Sequence, residues 1–225
     1  VRLARISRLR MVLERLVPRL ESPKRELEQY RTPPEIAVDI AMCIAGVACK
    51  VVVDLGSGTG MLSYAVSLVS GSYVVGFDVD EALAVLARSS DLYEASIVDF
   101  VVADVAYLPL RPLGNVCVVQ NPPFGVSRRG ADRVFMKAAM GIGARVICSL
   151  HYASVGVERY LKRLFSEAEY IVEFMKVYRF PLPAMYRDHV KRIHYIPVLL
   201  LRAWRGEERG RQRGDAKKCR GAGRA

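Results

Sequence analysis

Val51-Val52-Val53-Asp54-Leu55-Gly56-Ser57-Gly58-Thr59-Gly60 decides how the rest of the chain reads. A run of β-branched residues ends in an acid and three alternating glycines. That pattern predicts a buried strand, a tight backbone turn and the first turn of a helix. Working outward, apolar segments near 50–55, 73–77, 97–102, 115–120 and 144–149 read as strands. Helices are expected near 60–69, 80–90, 131–142 and 154–166. Alternation of this kind gives a parallel sheet covered on both faces. Two more strands, near 169–179 and 193–203, are joined by a basic, proline-rich connection (Pro181, Pro183, Arg187, Lys191, Arg192) with no room for a crossover helix. They are expected to be antiparallel neighbours, which makes seven strands with one reversed.

Upstream, Leu3, Ile6, Leu9, Leu13, Leu16, Val17 and Leu20 recur at helical spacing beside an arginine face, so an amphipathic helix is expected to dock on the domain. Pro18 ends or bends it. Ser22-Pro23 reads as the start of a short helix through Tyr30, and Thr32-Pro33-Pro34-Glu35 as a capping box opening a helix from Glu35 to about Ala48. The expected organisation is a helical extension over 1–48 that contributes to the cofactor site, the domain proper over 49–204, and a basic tail over 205–225 that forms no core.

The chain has 225 residues, 52% of them hydrophobic, enough for one sizeable core. Its longest apolar stretch, Ile36 to Leu55, is broken by Asp39, Lys50 and Asp54, so no membrane span is expected. Arg2, Arg5, Arg8 and Arg10 are followed by no apolar signal core. Five cysteines form no Cys-x-x-Cys pair; buried thiols in a soluble cytoplasmic protein are expected, with neither disulfide nor metal site. The net charge of +11 is unevenly placed. Residues 1–25 carry +6, residues 205–225 carry +5, and 26–204 hold eighteen charges of each sign. A neutral body with basic ends points to a polyanion, nucleic acid before all else.

The glycine turn is a nucleotide-type pocket without the dinucleotide spacing, because Met61 stands where a third glycine would be expected. Asp78 ends the second strand, where a carboxylate can accept both ribose hydroxyls of an adenosine moiety. Asp104 follows the third, within reach of an adenine edge that Val105 would cover. Such acids also cap helices, but Asp54, Asp78 and Asp104 after three successive strands fit S-adenosylmethionine, whose sulfonium and ammonium groups are cationic.

Asn121-Pro122-Pro123-Phe124 follows the fourth strand. An exocyclic amine such as N6 of adenine is a poor nucleophile, since its lone pair is delocalised into the ring. The Asn121 amide oxygen and the Pro122 carbonyl can accept its two hydrogens, and Phe124 offers a face for stacking. His151 could face the same pocket, although a lone histidine is more often a structural hydrogen bonder.

Together these residues resemble the methyltransferase-like protein 5 group of RNA adenine-N6 methyltransferases and its archaeal relatives. The resemblance runs through Leu27-Glu28-Gln29-Tyr30 with Thr32 and Pro33, Val53 to Gly60, Gly76-Phe77-Asp78-Val79-Asp80, Asn121 to Gly125, Ser149-Leu150-His151 and Leu182-Pro183-Ala184-Met185-Tyr186. It implies an α/β, Rossmann-like class I S-adenosylmethionine-dependent methyltransferase fold and methylation of an adenosine in small-subunit ribosomal RNA. It also implies that Gln29, Tyr30, Thr32, Asp54, Gly56, Gly58, Thr59, Met61, Asp78, Asp104 and Val105 serve the cofactor, and that Asn121, Pro122, Pro123 and Phe124 hold the base. Guanine-N2 and protein-glutamine methyltransferases share the tetrapeptide pattern, and a non-enzymatic RNA-binding ribosome-assembly factor of the same fold remains an alternative. A small zinc-binding activator is implied as partner. The apolar strand at 97–102, at the sheet edge in this fold, is where an added strand could dock.

Overall fold

A computed structural model describes residues 2–112, 114–125, 130–182 and 194–205. The sheet contains β1 (Val51–Leu55), β2 (Tyr73–Asp78), β3 (Val98–Val102), β4 (Val116–Gln120), β5 (Val146–Tyr152), β6 (Tyr170–Leu182) and β7 (His194–Arg205). Their order is β3-β2-β1-β4-β5-β7-β6, with β7 antiparallel to both of its neighbours. Seven strands with one reversed, the last two antiparallel neighbours and the third at the edge were expected, and all are present. The order reverses at β1, so the crevice between the β1 and β4 carboxyl ends is a topological switch point.

Period-two alternation divides each central strand between two apolar layers. Val52, Val74, Cys117 and Val119 face one, packed against α1 (Arg2–Leu16), α2 (Pro34–Ile44), α3 (Met61–Ser70) and α4 (Glu81–Arg88). Val53, Leu55, Val116 and Val118 face the other. There they meet Met136 and Ala139 of α6 (Ala131–Gly141) and Leu161 and Phe165 of α7 (Val157–Glu167). A short α5 (Leu92–Ala95) leads into β3. The N-terminal helix docks through Leu13 and Val17, both buried, while Arg5, Arg8 and Arg15 stay exposed.

Three local expectations fail. The capping box does not form: Pro33 is the N-cap of α2 without a side-chain bond, because Thr32 turns its hydroxyl to Asn121 instead. The helix expected through Tyr30 is a single 3-10 turn, Arg25–Leu27, ended by Glu28 in the left-handed region at φ 48°. The cysteine expectation fails for one pair: Cys49 and Cys117 are joined as a disulfide, with Cα atoms 5.8 Å apart. Cys49 lies just before β1, and Cys117 lies on β4 beside it. Their sequence separation of 68 hid the pairing, and the cysteines no longer argue for a reducing compartment. Cys43 and Cys148 are buried thiols; Cys219, the basic tail from 206 and most of the connection between β6 and β7 lie outside the described residues. Among the described residues no helix is long and apolar enough to cross a membrane, and no metal-binding cluster occurs.

Candidate active site

The glycine turn is pinned across the sheet. Gly56 and Ser57 both donate their amides to the Phe77 carbonyl, at 2.8 and 3.0 Å, which draws the turn over the end of β2. Space demands glycine at two points. A Cβ on Gly76 would lie 2.7 Å from that of Ser57. One on Gly60, at φ 87°, would lie 2.7 Å from the Tyr64 ring.

Over the carboxyl ends of β1, β2 and β4 opens a cavity of about 1080 Å³. Twelve of the expected residues line it: Gln29, Tyr30, Thr32, Gly56, Gly58, Thr59, Met61, Asp78, Asp104, Val105, Asn121 and Pro123. Asp54, Pro122 and Phe124 lie outside the lining. Asp78 accepts from Gly58 N (2.8 Å) through one oxygen and from Asp80 N (2.9 Å) through the other. Burial raises its pKa, and these backbone donors oppose the rise. Asp104 caps the turn Val105–Tyr107 by accepting from Ala106 N at 2.8 Å, so it does the structural job of a capping acid and lines the cavity as well.

Asp54 sits behind the turn, fully buried. One of its oxygens accepts from Ser63 Oγ at 2.6 Å, while the other has no partner among the described residues. Desolvation pushes its pKa from 3.8 up to about 7. The folded chain therefore holds this proton more tightly than the unfolded chain, and stability falls as pH rises from about 4 to about 7. Asp54→Asn should flatten that stretch of the stability curve and raise Tm at about pH 8 while changing it little at about pH 4. Thermal denaturation at the two pH values checks this; a Tm difference independent of pH would contradict it.

The loop before α2 closes the cavity. Gln29 donates to Asp80 Oδ2 (2.8 Å) and accepts from Lys24 N (2.7 Å), and Lys24 Nζ pairs with the same carboxylate at 2.9 Å. Lys24 holds the Asp80 carboxyl below its usual range. Gln29 thus clasps the loop to the end of β2. Arg31 is occupied elsewhere, by Glu14 and the last carbonyls of α1.

Two features anchor the Asn121–Phe124 turn. Asn121 Nδ2 donates to Thr32 Oγ1 at 2.9 Å, which leaves Asn121 Oδ1 buried and without a partner among the described residues. Glu28 accepts from Gly125 N at 3.1 Å. Glu28 belongs to the sequence run that carried the resemblance, but no role was expected for it; its left-handed backbone, which aims it at the turn, leaves no mark in the sequence. Phe124 lies parallel to Tyr30, with centroids 6.2 Å apart, and edge-on to Phe180 at 5.2 Å. It borders a second, smaller pocket. His151 is 2% exposed, and neither ring nitrogen has a hydrogen-bond partner among the described residues, so it is not the structural hydrogen bonder expected.

The chain is 31% identical over 189 residues to "rRNA N(6)-adenosine-methyltransferase METTL5" of Danio rerio, covering 81% of this chain and 90% of that protein. It is 33% identical to the Drosophila melanogaster protein of the same description, over 79% of this chain and 86% of that one. An uncharacterised protein of Methanocaldococcus jannaschii is 31% identical over 86% of this chain and 91% of its own length. Among solved structures, a candidate RNA methyltransferase from Pyrococcus horikoshii superposes with a TM-score of 0.79 at 30% identity, covering 89% of this chain and 98% of that one. Magnesium protoporphyrin IX methyltransferase from Synechocystis, at 15% identity and a TM-score of 0.55 over 77% of this chain and 78% of that one, shares the fold alone. No protein-family model matches the chain.

Proposed function

Because this chain belongs to the METTL5 family of rRNA N6-adenosine methyltransferases, we propose that it methylates N6 of an adenosine in RNA, with small-subunit ribosomal RNA as substrate and S-adenosylmethionine as methyl donor. The observation that carries this reading is the buried, unpartnered Asn121 Oδ1 at the rim of an acid-lined cavity. Thr32 occupies the amide nitrogen, so the oxygen is the acceptor left over on a side chain that lines the cavity, suited to an N–H of the target amine. The donor set fits the cofactor. Asp78 would accept from the ribose hydroxyls, Asp104 and Val105 would border the adenine, and the glycine turn with Thr59 and Met61 would pass close to the methionine end. Asp54 would act from behind the turn, through its bond to Ser63 of α3.

S-adenosylmethionine supplies a methyl group on a sulfonium. Asn121 and the Pro122 carbonyl would hold N6 so that its lone pair points at that methyl. With N6 so held, an N–C bond would form as the S–C bond of the bound donor breaks, S-adenosylhomocysteine would leave, and the extra N6 proton would pass to water. No dedicated base is required.

Small-subunit specificity and the partner rest on the resemblance and on surface chemistry. The exposed arginines of α1 suit an RNA backbone. The β3 edge, with Ile97 56% and Val102 50% exposed beside it, suits strand addition by a small zinc-binding activator. Incubation with tritiated S-adenosylmethionine and separated small- and large-subunit RNAs should label the small-subunit RNA alone. Equal label in both, or label in ribosomal protein, would contradict the reading. A chain that is monomeric and fully active by itself would remove the activator.

A further inference from the structure

The smaller pocket, about 320 Å³, lies at the carboxyl end of β5 and the start of α7. Pro123 lines both this pocket and the larger cavity, so the Asn121–Phe124 turn is the wall between them. Phe124 faces the smaller pocket only, and Tyr30 and Phe180 brace it.

Unpaired polar atoms gather around this pocket. His151 Nδ1, His151 Nε2 and Tyr160 Oη are all buried without a hydrogen-bond partner among the described residues. The Asp132 carboxylate is 4.0 Å from His151 Nδ1, too far to bond it or to fix its tautomer. Burial drives the His151 pKa down to about 3, so the ring is neutral, with one donor and one acceptor. Buried polar atoms are nearly always paired. Three unpaired ones around a pocket walled by Phe124, Leu150 and Val157 mark where the polar edge of a flat ligand would lie.

With the target adenine stacked on Phe124, we propose that His151 and Tyr160 determine base specificity by donating hydrogen bonds from this pocket to the ring nitrogens while N6 reaches past Pro123 to Asn121. The proposal rests on the reading that an RNA adenosine is the substrate. Once Asn121 and Pro122 hold both N6 hydrogens, adenine has only acceptors left on its edges, at N1, N3 and N7, and acceptors call for donors. Guanine instead presents N1–H and N2–H donors on its Watson–Crick edge. The pair would thus favour adenine by hydrogen-bond complementarity, the form of discrimination that outperforms shape alone.

The test uses the full chain and the oligoribonucleotide that it methylates, resynthesised with 1-deaza-, 3-deaza- or 7-deazaadenosine at the target position. The unaltered chain should lose about tenfold in kcat/KM on at least one analogue. His151→Phe and Tyr160→Phe should each be slower on adenosine by about tenfold, and one of them should lose nothing further on that analogue. Tyr160→Phe removes only a hydroxyl and preserves packing should the buried His151 variant fail to fold. If the penalties of variant and analogue multiply, or if the unaltered chain is indifferent to all three analogues, the proposal falls while RNA adenosine methylation stands. If the chain methylates no RNA adenosine, both fall together.

Discussion

Asn121→Ala should lower single-turnover methyl transfer by on the order of 10²–10³-fold, the cost of deleting one oriented polar group at a reacting centre, while leaving cofactor affinity within about threefold. The asymmetry follows from placement. Asn121 lies at the end of β4, across the cavity from Asp78, and its engaged amide nitrogen binds Thr32, a protein group. Removing the side chain frees the Thr32 hydroxyl, which can turn to water, and deletes the acceptor that would hold N6. Rapid-mixing transfer assays and calorimetry with S-adenosylhomocysteine separate the two quantities. Transfer at an unchanged rate would end the assignment of Asn121; lost cofactor binding would move it to the other half of the site.

Asp78→Ala should have the opposite signature, weakening cofactor binding by about a hundredfold. The carboxylate has a structural and a binding duty. Its oxygens hold Gly58 N and Asp80 N, fixing the glycine turn against β2, and their remaining lone pairs are where the ribose hydroxyls would bind. Asp78→Asn should fall between, since an amide has one acceptor oxygen for two backbone donors. Calorimetric affinities within about threefold of the parent for Asp78→Ala would show that the ribose is held elsewhere. A fall in Tm for Asp78→Ala with unchanged affinity would assign the residue to the turn alone.

Much of this architecture was legible because its signals are local. β-branched runs, three alternating glycines and short polar breaks placed every strand to within a few residues, and the missing crossover between the last two strands fixed their antiparallel pairing. The acids after the strands were visible for the same reason. What stayed hidden depends on contacts across the chain. Thr32 bonds Asn121, 89 residues away, and Glu28 bonds Gly125 across 97; neither pairing has a sequence period. Thr32 in front of Pro33-Pro34-Glu35 looks like a helix cap, and only the position of β4 shows that its hydroxyl is claimed elsewhere. The Cys49–Cys117 disulfide depends on strand order, which places β4 on the side of β1 opposite β2 although two strands separate β1 and β4 in sequence. His151 read as a structural hydrogen bonder because a lone histidine more often is one, whereas its lack of partners among the described residues is a fact of packing.

The central claim is the identity of the methylated atom. Ribosomal RNA isolated without this modification, incubated with the full chain and S-adenosylmethionine, digested to nucleosides and analysed by mass spectrometry, tests it most directly. N6-methyladenosine should appear as the new nucleoside, and its rate of formation should fall on the order of 10²–10³-fold with Asn121→Ala. N2-methylguanosine in its place, or methyl groups found only on protein glutamine, would contradict it.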